Sequence, residues 1–155
     1  MAFVSEQELS IIAIQFRLAI LETIARGESK GMLIRSFPIG NCSYASELLQ
    51  RYLHSIGVET FLVSGSGACQ ETHVWLETED GLIVDITGDQ YMDRDNEFFY
   101  DKPVYVGPMD SFHKLFKQKH RDRYEEPAPD PICGLSLPEQ QKEQNLLAIK
   151  RRMRN

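Results

Sequence analysis

The sequence predicts an α+β fold in which helices pack on an antiparallel sheet, and three patterns carry that prediction. Apolar residues recur every three or four positions over Ser5–Arg26 and again over Cys42–Ile56, as on one face of a helix. After Gly57 the chain becomes rich in β-branched and aromatic residues. Glu79–Gly81 then separates two such stretches as a hairpin turn would. Helices followed by a strand meander are therefore expected.

The first helix has recognisable ends. Ser5 and Glu8 form a capping box, and Gly27 supplies the stop. The apolar side consists of Leu9, Ile12, Ala13, Phe16, Ala19, Ile20 and Ile24. The following segment, residues 28–41, has no usable period and contains Pro38, so it predicts a loop.

The second helix begins at Cys42, with Asn41 as the expected N-cap and Gly57 as the C′ residue. Its apolar side consists of Ala45, Leu48, Leu49, Tyr52, Leu53 and Ile56. The strands that follow are expected over Val58–Ser64, Thr72–Thr78 and Leu82–Ile86, with a short edge strand over Val104–Val106.

The structure of the C-terminal third is predicted from its prolines and from the spacing of its apolar residues. Asp110–Arg123 has a helical pattern, and Glu125–Leu137 contains three prolines, which indicate an extended connector. Pro138 is expected at the first position of a last helix, Glu139–Arg152. The chain is thus expected to form one domain over residues 1–155, with its core at about 40–106 and a helical extension at about 138–152.

Composition and charge exclude several classes of protein. The chain has 155 residues and a net charge of −6, which argues against a general nucleic-acid binder. No apolar run approaches the roughly 20 residues that cross a bilayer, and the acidic N-terminus is unlike a signal peptide. A cytoplasmic protein without membrane or nucleic-acid partners is expected. Its three cysteines, Cys42, Cys69 and Cys133, are expected to be reduced.

Neither a metal nor another cofactor is expected. Residues 68–101 hold ten acidic residues and one arginine, but Phe98 stands where a calcium-binding EF-hand loop needs glycine. His54, His113 and His120 have no ligand-like spacing with each other or with a cysteine.

Three residues suggest nucleophilic chemistry. Cys42 is at the first turn of a helix, where free N–H groups and the helix dipole favour a thiolate. His73 begins one predicted strand and Asp85 ends the next. A thiol, an imidazole that takes its proton and a carboxylate that orients the imidazole form a nucleophilic triad. Taken singly, each residue is more readily explained by packing or hydrogen bonding.

In this order the residues resemble the transglutaminase-like branch of the papain-like cysteine peptidase superfamily. Gly40–Val58 is similar to the nucleophile helix and the turn after it, Thr72–Glu77 to a His-x-Trp-x-Glu strand, and Gly81–Asp85 to a Gly-x-x-Val-Asp strand. The resemblance implies a papain-like fold with the nucleophile at a helix N-terminus. It also implies that Cys42 is the nucleophile, His73 the general base and acid, and Asp85 the orienting carboxylate.

Other parts of the site stay open. The side-chain donor of an oxyanion hole could be Asn41 or Gln70, and Trp75 could line the cleft or pack in the core. Asp89 competes with Asp85 as the third triad member. Calcium sites of the animal transglutaminases have no counterpart in the sequence.

The expected function is thiol-dependent acyl transfer that cleaves an amide bond, as a cysteine peptidase or a glutamine deamidase does, with a protein or peptide substrate. Transfer to an amine or alcohol uses the same triad, and a binding module could keep the fold without the activity. The Arg-Gly-Gly-x-Cys signature of arylamine acetyltransferases is absent before Cys42.

The triad constrains the strand register of the hairpin. His73 and Asp85 must share one face, which requires that the residue numbers of each cross-strand pair have an even sum. A three-residue loop, Glu79–Gly81, gives pairs that sum to 160, whereas a two-residue loop gives 161 and puts the two side chains on opposite faces. We therefore predict a three-residue loop with Gly81 at positive φ, or another loop that keeps this parity through a bulge.

Overall fold

The computed structural model describes residues 4–33 and 36–153. Within those ranges the fold is α+β, as predicted, with three α-helices and one five-stranded antiparallel sheet. No helix in the described part of the chain is both long and apolar enough to cross a membrane. The helices are α1 Glu6–Ala25, α2 Cys42–Ser55 and α3 Leu137–Arg152, and the strands are β1 Thr60–Ser66, β2 Thr72–Thr78, β3 Ile83–Asp85, β4 Tyr105–Gly107 and β5 Gln118–Arg123.

The two N-terminal helices start and stop close to the predicted positions. Ser5 Oγ accepts from the Glu8 N–H at 3.1 Å, and Gly27 follows α1 at φ +70°. The end of α2 is closed at Gly57, which has φ +87° and donates its N–H to the His54 carbonyl at 3.0 Å. Asn41 occupies the N-cap position of α2, as predicted. Its side chain makes no capping hydrogen bond, so the predicted capping interaction is wrong.

The sheet has the order β4-β3-β2-β1-β5. Leu76 pairs with Val84 and Glu77 with Ile83, so the β2–β3 register is the one that the triad requires. The Gly81 N–H donates to the Thr78 carbonyl at 3.0 Å, and Gly81 has φ +91°. The predicted three-residue loop is confirmed.

Alternate residues of the strands face two different apolar cores. Leu62, Leu76 and Val84 lie with the helices in the main core, which includes Phe16 and Leu49. The residues between them point to the other face, where an aromatic cluster consists of Val63, Trp75, Ile83, Tyr91, Phe98, Tyr100, Phe112 and Phe116. His73 and Asp85 are odd-numbered strand residues, like Val63, Trp75 and Ile83, and therefore belong to this aromatic face.

The predicted helix over Asp110–Arg123 is wrong. Only the short 3₁₀ turn His113–Leu115 is helical, and Gln118–Arg123 forms β5 against the edge of β1. Phe112, Leu115 and Phe116 have helical spacing, but the residues after Phe116 are all polar and offer no apolar face for a helix to bury. As an edge strand these residues need no apolar face, because the β1 backbone supplies their hydrogen-bond partners.

The last helix packs back onto the N-terminal part of the chain. Pro138 was predicted at the first helical position, but the helix begins one residue before it. Ser136 is the N-cap, Leu137 is the first residue and Pro138 is the second. Ile149 is fully buried in the main core. The buried Asn145 side chain accepts from the Lys30 N–H at 2.7 Å and donates to the Lys30 carbonyl at 2.9 Å, which fixes the loop after α1.

Candidate active site

The fold brings Cys42, His73 and Asp85 together from three elements. Cys42 is the first residue of α2, His73 the second residue of β2, and Asp85 the last residue of β3. The side chains of His73 and Asp85 are fully buried, and Cys42 is half-buried. The site therefore lies where the helix layer meets the aromatic face at one end of the sheet.

Asp85 fixes the orientation of the His73 ring. Its Oδ2 lies 2.7 Å from Nε2 of His73, and its Oδ1 accepts the Thr87 N–H at 2.9 Å. An ionised carboxylate only accepts hydrogen bonds, so Nε2 carries a proton and Nδ1 is the nitrogen available to Cys42. This is the geometry expected of a carboxylate that orients a general base.

The surroundings of Cys42 favour its thiolate. Burial alone raises the pKa of the thiol, but hydrogen bonds from the His73 imidazole, the Gln90 amide and the Val74 backbone, with the charge of His73, lower it below its usual value. The position at the helix N-terminus acts in the same direction. Cys42 is thus electrostatically unlike an ordinary free cysteine.

The pKa values of the two buried partners move apart. Burial lowers the pKa of His73, but the charge and hydrogen bond of Asp85 and the contact with Cys42 raise it to about 9. Burial raises the pKa of Asp85, yet His73 and His113 hold it well below its usual range. These shifts favour an imidazolium at His73 and a carboxylate at Asp85, beside a Cys42 thiol whose pKa is lowered.

Two further side chains complete the site, and the sequence patterns did not indicate either. Nε2 of the buried His113 lies 2.7 Å from the same Asp85 oxygen that binds His73. The amide nitrogen of Gln90 lies 2.8 Å from Nδ1 of His73. Gln90 follows β3 by only five residues, and that proximity to Asp85 was the signal available for it. His113 lies in the segment predicted as a helix, which hid its position.

The ligating atoms of His73, Asp85 and His113 all lie within 4.8 Å of one another, as the ligands of a metal ion would. The Asp85 oxygen lies 2.7 Å from each imidazole nitrogen. Ligands of one tetrahedral ion at about 2.0–2.1 Å stand about 3.3 Å apart, which is clearly longer. The contacts fit charge-assisted hydrogen bonds instead.

Asp89 does not compete with Asp85 for the histidine. Both of its carboxylate oxygens accept from Arg17 at 2.8 Å, one from each terminal guanidinium nitrogen, in an end-on bidentate ion pair. Arg17, which is buried, also donates to the carbonyls of Ile86 and Pro103 at 2.7 and 3.2 Å. Asp89 thus anchors the turn that carries Gln90, and Asp85 is the carboxylate that contacts His73.

Of the other sequence candidates, two have structural roles and one lies at the surface. The Asn41 amide nitrogen donates to the Ile39 carbonyl at 3.3 Å. Trp75 is fully buried in the aromatic cluster, where its ring lies 4.9 Å from His113, so it packs in the core and cannot touch a substrate. Gln70 is exposed at φ +62°, and among the described residues no hydrogen bond joins it to Cys42 or His73.

Neither the family models, nor the curated proteins, nor the solved structures contain a match to the chain. The geometry of Cys42, His73 and Asp85 is therefore the basis for its chemistry.

Proposed function

We propose that the protein is a thiol acyl-transfer enzyme that cleaves an amide bond, either in a peptide or in a glutamine side chain, on a fold of the papain-like, transglutaminase-like type. One observation carries the proposal: the buried His73 ring contacts Cys42 on one side and Asp85 on the other, at the N-terminus of a helix. The sequence resemblance of these three segments to that superfamily supports the same conclusion.

In the first half-reaction the Cys42 thiolate attacks the carbonyl carbon of the amide and forms a tetrahedral intermediate. The His73 imidazolium then donates its Nδ1 proton to the amide nitrogen, the carbon–nitrogen bond breaks, and the amine or ammonia leaves. Asp85 keeps Nε2 protonated and the ring in place throughout. The product is a thioester on Cys42.

In the second half-reaction the neutral His73 takes a proton from water, and the oxygen attacks the thioester carbon. The carbon–sulfur bond breaks, the acid product leaves, and the thiolate and imidazolium are restored. An amine entering in place of water would make the protein a transglutaminase with no change in these residues.

The negative charge on the carbonyl oxygen needs donors. The N–H of Cys42, which is at the first helical position, has no partner within α2. The Gln90 side-chain amide contacts the thiol and donates to Nδ1 only of a neutral His73. When His73 is an imidazolium the amide N–H groups lose that acceptor, and we propose that they turn to the oxyanion as its side-chain donor. Asn41 is less suitable, since its amide nitrogen already serves the Ile39 carbonyl.

The test exploits the accessibility of the three cysteines. Cys69 and Cys133 are exposed, while Cys42 is only half-exposed, so access alone favours the other two. At pH 6 an ordinary thiol is only about 0.3% ionised. With limiting iodoacetamide at pH 6, Cys42 is expected to be alkylated at least tenfold faster than either other cysteine, as measured by peptide mass spectrometry.

His73→Ala is the matched variant, and it should remove the advantage of Cys42 while leaving the rates of Cys69 and Cys133 unchanged. Once selective labelling is seen, incubation with glutamine-containing peptides, with and without a primary amine, distinguishes peptide cleavage, deamidation and transfer by product mass. Faster alkylation of Cys69 or Cys133 in the native wild type would refute Cys42 as an activated nucleophile.

A further inference from the structure

One oxygen of Asp85 is shared between two histidines. Oδ2 lies 2.7 Å from Nε2 of His73 and 2.7 Å from Nε2 of His113, and all three side chains are fully buried. The second nitrogen of His113, Nδ1, lies 2.6 Å from Oδ1 of Asp110. Asp110 is in turn held by the His113 N–H at 2.8 Å and by the Tyr100 hydroxyl at 3.1 Å.

This arrangement fixes the charge of His113. Ionised carboxylates accept hydrogen bonds and cannot donate them, so an imidazole placed between two carboxylates must carry a proton on each nitrogen. His113 is then an imidazolium. The hydrogen bonds and charges of Asp110 and Asp85 raise its pKa against the effect of burial. A second positive charge, besides that of His73, thus stands against Oδ2 of Asp85.

We propose that His113 is a positioning residue whose positive charge shares the Asp85 carboxylate with His73 and so limits how tightly His73 holds its proton. The inference rests on the proposed function, in which His73 must both accept and release a proton. It also assigns Asp110 the role of keeping His113 charged.

The need for such a charge follows from the burial of the pair. A carboxylate enclosed with a single imidazole in apolar surroundings stabilises the imidazolium strongly, which makes it a poor proton donor to a leaving amine. The His73 and His113 ring centres are 6.2 Å apart. At an effective dielectric constant near 20, two like charges at that separation shift a pKa by about two units.

Other titratable groups face the two rings. Cys42 approaches His73 from α2. Tyr91 meets His73 edge-on, and Tyr100 and Tyr105 lie against His113. Burial raises the pKa of all three tyrosine hydroxyls, so they stay neutral near pH 7. Lys102 covers the rings of Tyr100 and Tyr105 from outside. His113 is therefore the cation placed to act on Asp85.

The test is ¹⁵N NMR of the full chain labelled in its histidine rings, because nitrogen shifts distinguish protonated from unprotonated ring nitrogens. In the wild type His113 is expected to have both nitrogens protonated at pH 7. His113→Gln keeps a side-chain donor for Asp85 but removes the charge. It should raise the pKa of His73 by about one to two units.

Asp110→Asn provides a second, milder test, since Asp110 lies nearer the surface and its loss keeps the His113 ring in the core. It should lower the pKa of His113 and raise that of His73, by less than His113→Gln does. Asp122→Asn is the matched control: Asp122 pairs with His120 at 3.1 Å on the exposed strand β5, and its loss should leave His73 unchanged.

A His113 ring with one unprotonated nitrogen at pH 7 overturns the proposal. So does an unchanged or lowered pKa of His73 in both His113→Gln and Asp110→Asn. These pKa measurements need no substrate. The role of His113 can therefore be refuted while the alkylation test still supports Cys42 as the nucleophile, and the reverse is equally possible. Should His113→Gln not fold, Asp110→Asn decides the question alone.

Discussion

At the scale of single residues, two aspartates only four positions apart do different work. Asp85 contacts the His73 ring and Asp89 pairs with Arg17, although the sequence allowed either to be the triad carboxylate. The hairpin register separates them, because Asp85 stands on the His73 face of the sheet while Asp89 lies in the turn beyond it. Strand parity was readable from the sequence, and it supported the residue that the structure places beside His73.

Asp85→Asn is therefore expected to change the chemistry of Cys42. An asparagine has no charge to hold the His73 imidazolium, so the pKa of His73 should fall from about 9 towards its ordinary value. Iodoacetamide labelling of Cys42 at pH 7 should slow at least tenfold. The measurement is the labelling rate of Cys42 against pH.

Asp89→Asn is the paired control for that prediction. It should leave the pH dependence of Cys42 labelling close to that of the wild type, while lowering stability because Arg17 loses its charged partner. The reverse ranking of the two variants would move the triad carboxylate to Asp89.

At the scale of elements, the accuracy of sequence reasoning follows how local the determining contacts are. The helix ends at Ser5 and Gly27 and the three-residue hairpin depend on neighbouring residues, and these predictions are confirmed. Segment 110–123 was mispredicted because its structure depends on distant partners. Phe116 packs against Trp75, and β5 pairs with β1, whose residues lie 52 to 62 positions earlier in the chain.

The link between α1 and the turn of Gln90 allows a test at this scale. Arg17→Met leaves the Asp89 carboxylate, which is 13% exposed, without its partner, and should cost about 3 kcal/mol of unfolding free energy. Cys42 labelling should also slow, because Gln90 follows Asp89 directly.

The double variant Arg17→Met, Asp89→Leu removes both charges and should be more stable than Arg17→Met alone. Urea unfolding of the single and double variants gives the coupling energy, expected to be at least about 1 kcal/mol. Additive effects of the two substitutions would show that this ion pair does not hold the turn.

At the scale of the whole molecule, the candidate site joins both cores of the protein. Cys42 comes from the helix layer, whereas His73, Asp85 and His113 are enclosed by the aromatic face. Local motifs in the sequence predicted Cys42, His73 and Asp85. Nothing around His113 indicates that the chain returns to Asp85 there, and for Gln90 the one signal was its closeness to Asp85 along the chain.

The proton balance of the site predicts how stability depends on pH. A raised pKa of His73 stabilises the fold fully below about pH 6.5, and this contribution is lost as pH rises to about 9. The lowered pKa of Cys42 acts oppositely, since its thiolate adds stability as pH rises towards the ordinary thiol value. In the wild type the contribution of Cys42 opposes that of His73.

Cys42→Ala removes that compensation. Between pH 6.5 and 8.5 its unfolding free energy should fall with pH by up to about 1.4 kcal/mol per unit, more steeply than in the wild type. Urea unfolding at several pH values measures both slopes. Parallel slopes would contradict a thiolate–imidazolium pair in the folded protein.

Strand β5 has a consequence for how the molecule behaves among its own copies. Its outer backbone edge is one at which another strand could add, and such edges template ordered aggregates. Every side chain along it is polar, and Lys119, Arg121 and Arg123 project from one face in register with β1. A second copy presenting the same strand would bring like charges together. The segment whose spacing predicted a helix thus gives the sheet a polar, charged edge of the kind that disfavours the addition of another strand.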